Sequence, residues 1–80
     1  MTPDQARALS DYIRWAGPEW QTKLRRDWMR GGSEWPGEWA YLQQLRNTLG
    51  NTMAAAQELV DQEPEVAAAL GWDGSKWVGA

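Results

Sequence analysis

"SEWPGEWAYLQQLRNTLGNTMAAAQELVD", residues 33–61, carries apolar side chains at Trp35, Trp39, Leu42, Leu45, Leu49, Met53, Ala56 and Val60. Steps of three and four hold these on one side of an α-helix, because neighbours on a helical face recur at that spacing. Ser33 is the natural N-cap, Glu34 is favourable in the first turn, and Pro36 is tolerated there. Gly50 and Asn51 interrupt the run, yet the stripe keeps its phase across them. The expectation is therefore one continuous helix over 34–61, with Gly50 as the place for a break. Such a rod is about 40 Å long at about 1.5 Å per residue.

Upstream, the sequence reads as two shorter helices whose summed length matches that rod. Thr2 and Gln5 form a Thr-x-x-Gln capping box around Pro3, which opens a helix over 3–16. Ala6, Leu9, Tyr12, Ile13 and Ala16 make its apolar arc, with Trp15 at the edge. Gly17-Pro18 ends it and starts a second helix over 18–30, whose narrow stripe is Trp20, Leu24 and Trp28. Gly31-Gly32 closes the second helix. Downstream, Pro64 starts a short helix over 64–70, ended by Gly71. The tail 71–80 carries an Asp73-Gly74 turn between Trp72 and Trp77. The fold class is all-α: one domain over 1–80, two short helices packed along one long helix, then a short fourth helix and a tryptophan-bearing tail.

Eighty residues lie at the small end of what folds alone. The chain has no cysteine and no histidine. Disulfides are excluded, and so are the thiolate and imidazole ligands of structural zinc, iron–sulfur and haem sites. No cofactor or metal is expected. The usual general base and the thiol nucleophile are also missing, so the chain does not read as an enzyme and no catalytic residue is assigned. Glu34 with Glu38, and Asp61 with Glu63 and Glu65, are read as helix-terminal charges. The longest apolar run, Val66 to Leu70, is far below the ~20 residues of a membrane span. Absence of cysteine fits the cytoplasm, and the small size suits an accessory protein of a bacterium or its phage, held within a larger assembly.

Net charge is −3, unevenly spread: residues 1–46 hold seven cations and six anions, residues 47–80 one cation and five anions. That balance is too weak for a dedicated nucleic-acid binder. By elimination the expected function is protein binding or self-assembly into a homo-oligomer. The candidate contacts are Trp15, Arg46, Trp72 and Trp77. Arg46 falls inside the apolar arc of the long helix, where it either stacks or snorkels internally or meets a partner's carboxylate. Trp72 and Trp77 either dock on the helices or remain exposed as an apolar patch. Lys23, Arg25, Arg26 and Arg30 of the second helix, near Trp28, supply the alternative of nucleic-acid binding. Against it, Glu19, Asp27 and the helical spacing offer those cations ion-pair partners.

Overall fold

The computed structural model describes residues 1–78 and shows an all-α protein of five helices: α1 (Pro3–Ala16), α2 (Trp20–Arg30), α3 (Trp39–Leu49), α4 (Thr52–Gln62) and α5 (Pro64–Leu70). Its dimensions are 30 × 22 × 19 Å. The organising element is α1, which packs against each of the other four. Its start is local chemistry: Thr2 Oγ1 accepts from the Gln5 N–H at 3.1 Å, and the Gln5 side chain accepts from the Thr2 N–H at 3.0 Å. Leu9, Tyr12 and Ile13 of α1 lie in the core beside Trp20, Leu24 and Trp28 of α2, Leu42 and Leu45 of α3, Leu59 of α4 and Leu70 of α5.

The expected long helix over 34–61 is two helices. Gly50 ends α3 in the left-handed region at φ 86°, and its N–H donates to Arg46 O at 2.9 Å. Asn51 is extended, and its Oδ1 accepts from the Ala54 N–H at 2.8 Å, which caps α4. An achiral residue followed by a strong N-cap outweighs the unbroken stripe. Size agrees: a rod of about 40 Å exceeds the longest dimension, 30 Å, whereas the broken pair folds so that α3 and α4 contact each other and both reach α1.

The start of α3 also differs from expectation. Ser33 caps no helix; its hydroxyl donates to Asp27 Oδ2 at 2.8 Å and accepts from the Trp35 N–H at 3.1 Å. Pro36 disfavours helical backbone at Trp35, and Gly37 is a poor helix former. The chain stays in turns until Trp39. Trp35 is nevertheless buried, its ring edge-on to Tyr12 at 5.7 Å. Gly37 lies against that indole so closely that a Cβ would sit 2.1 Å from Trp35 Cζ2.

Candidate functional site

The tail builds a small hairpin. Trp72 and Trp77 form one antiparallel bridge, framed by Asp73 N–H to Lys76 O at 3.0 Å and Val78 N–H to Gly71 O at 2.8 Å. Asp73 Oδ1 accepts from the Lys76 N–H at 2.8 Å and the Ser75 N–H at 2.9 Å, with the Ser75 hydroxyl at 3.1 Å. Those backbone donors, Lys76 foremost and then Ser75, hold its carboxyl below the usual carboxylate range. An isolated hairpin of this length is not stable; here it rests on the helices. Trp77 meets buried Trp20 edge-on at 5.7 Å and Trp72 at 5.3 Å. Trp77 packs against the core, Trp72 rests on Trp77, and both rings remain partly open to solvent.

Between this hairpin, α2 and α4 lies a cleft of about 320 Å³. Trp20, Trp72 and Trp77 line it together with Met53, which is 60% exposed, and Gln57 and Lys76. The Trp77 Nε1–H is buried with no acceptor among the described residues. Aromatic rings, a flexible thioether and a few polar groups around a concavity of this size are the ordinary components of a binding pocket.

Trp15 is elsewhere. At 43% exposure it is the most open of the large aromatic residues described, and it packs at 5.7 Å from Tyr12. Lys23 Nζ sits 4.5 Å over its ring, a cation–π contact of about 0.5–1 kcal/mol at an exposed site. Lys23 thus forgoes the ion pairs available to it from Glu19 and Asp27; the ion pairs among the described residues are Arg30–Asp27 and Met1–Glu58. Lys23, Arg26 and Arg30 border a recess of about 120 Å³ with Trp15. Arg25 is split from them: it reaches Thr52 Oγ1 at 3.4 Å and lines a different hollow with Trp28 and Arg46.

Arg46 turns inward. Its Nη1 donates to the Trp28 carbonyl near the C-terminus of α2, where the helix dipole favours a cation. Trp28 reciprocates, donating from Nε1 to Leu42 O at 2.9 Å. The two bonds stitch α2 to α3, which places Arg46 in the fold's internal wiring.

Asp27 is the polar residue that sequence reasoning undervalued. It is 1% exposed and accepts from Tyr12 Oη at 2.7 Å, Ser33 Oγ at 2.8 Å and Arg30 Nη2 at 3.1 Å. A carboxylate this deep is tolerable only with such donors. Burial, then the Asp27 hydrogen bond and charge, push the Tyr12 phenol well above its ordinary value of 10. The signal was present: position 27 is three after Leu24 and falls on the α2 stripe. Among the described residues no group of three or more carboxylates is placed to hold a metal ion, and no helix is long and apolar enough to cross a membrane. No family model matches this chain, and neither does any curated protein or solved structure.

Proposed function

We propose that the chain is a non-catalytic protein-binding module that grips an apolar segment of a larger protein, or of a second copy, in the cleft beneath the C-terminal hairpin. The observation carrying this reading is Met53, 60% exposed in a cleft shared with Trp20, Trp72 and Trp77. Large apolar side chains gathered in a concavity are the usual core of a protein interface. The Trp77 Nε1–H, without an acceptor among the described residues, supplies a polar handle that a partner's carbonyl would satisfy. An accessory role in a bacterial or phage assembly, in the cytoplasm, is part of the same proposal. Nucleic-acid binding through α2 is the weaker reading, because Arg25 stands apart from Lys23, Arg26 and Arg30.

The test is capture and reconstitution. Tagged chain should recover a partner that re-forms a stoichiometric complex when both are purified, or should itself sediment as an oligomer. Met53→Glu should abolish either association while its melting curve stays unchanged, since Met53 is exposed. A strictly monomeric chain with no reconstituted partner, or a complex indifferent to Met53→Glu, would sink the proposal.

A further inference from the structure

We infer that the recess between Trp15 of α1 and Lys23, Arg26 and Arg30 of α2 is a second binding site, which takes a carboxylate side chain from an acidic segment of a protein partner. It is separate from the cleft under the hairpin and does not depend on that cleft's role.

The recess is preformed and electropositive. Contact with Tyr12 at 5.7 Å sets the Trp15 ring in place. Lys23 Nζ lies 4.5 Å above that ring, so its charge is oriented but not neutralised. Arg26 is exposed, and neither it nor Lys23 takes part in an ion pair among the described residues. Of the two carboxylates bordering the recess, Asp27 is directed inward and saturated by Tyr12, Ser33 and Arg30. Glu34 alone presents a solvated negative charge there. Two cations without a carboxylate partner among the described residues, exposed Arg26 and half-buried Lys23, therefore stand beside an open indole, and their complement is an anion with some apolar stem.

Charge decides which anion. Single-stranded nucleic acid needs a basic groove that follows successive phosphates. Here Arg25 points to another hollow, Glu34 borders the recess, and the whole chain carries −3. An acidic stretch of protein needs only local complementarity, with the apolar stem of a glutamate lying against Trp15.

Titration of the intact, isotope-labelled chain with a blocked oligo-glutamate peptide tests this, followed by nuclear magnetic resonance. At ~20 mM salt the Trp15 indole N–H and the Lys23 and Arg26 amides should shift. The shifts should fade at ~300 mM, where the screening length is shorter than at low salt. Arg26→Glu should weaken binding roughly fivefold or more, as loss and reversal of one exposed pair predicts. Met53→Gln, which alters the cleft without changing the charge, should leave it unchanged, which separates this site from the cleft. A short oligothymidylate is the competing probe. Absence of shifts at low salt, equal affinity in Arg26→Glu, or tighter binding of the oligothymidylate would each overturn the inference.

Discussion

Replacing Gly50 by alanine separates two accounts of the middle of the chain by the sign of its effect. In a continuous helix over 34–61 the change would stabilise by about 1 kcal/mol, the helix-propensity difference between glycine and alanine. The structure predicts the opposite. Gly50 sits at φ 86°, and a Cβ built there meets nothing within 4 Å, so the cost is backbone alone. Left-handed backbone costs an L-residue about 1–2 kcal/mol, partly offset by the lower entropy of the unfolded alanine chain, about 0.4–1 kcal/mol. A net loss of about 1 kcal/mol follows, which lowers the melting temperature by about 4–8 °C in a domain this small. Thermal unfolding followed by helical circular dichroism measures it. D-alanine at position 50, introduced by chemical ligation, keeps the backbone conformation and should raise the melting temperature. A higher melting temperature for Gly50→Ala itself would refute the capped break between α3 and α4.

Two further outcomes follow from packing and from the buried acid. Gly37→Ala drives a Cβ to 2.1 Å from the Trp35 ring and should cost about 1–3 kcal/mol by overpacking; in a Trp35→Leu background the same change should be near neutral, and a denaturant double-mutant cycle reads the difference. Because Tyr12 has its folded pKa raised above the ordinary 10, its contribution is complete below that value and is lost as pH climbs toward the folded one. Stability should therefore fall from about pH 10 upward with a slope approaching ~1.4 kcal/mol per pH unit. Tyr12→Phe should flatten that slope in alkaline denaturation series, while losing about 1–2 kcal/mol at neutral pH because Asp27 is left one donor short.

What was legible in the sequence was local. The Thr2–Gln5 box sits within four residues, and the Trp20, Leu24 and Trp28 stripe follows from helical spacing, so α1 and the buried face of α2 could be read directly. The stripe across Gly50 misled because its phase persists on both sides of the break; periodicity reports which face is apolar and is blind to a change of axis. Trp35 was expected in the core and lies there, but from a turn, since Pro36 and Gly37 outweigh Ser33 as a cap. Asp27 looked like a surface partner for Lys23 because its donors Tyr12 and Ser33 come from α1 and from the turn after α2. Trp77 finds Trp20 across 57 positions, a pairing that no local pattern encodes.

That last pairing gives the molecule an optical signature. Trp20, Trp77 and Trp72 stand in succession with ring centroids 5.7 and 5.3 Å apart and planes inclined at 85° and 60°. Indole transitions that close and that far from parallel couple as excitons, so the docked hairpin adds a signed doublet to the ultraviolet circular dichroism that helices alone do not produce. Seating and release of the hairpin are thereby visible in the native protein without any attached dye.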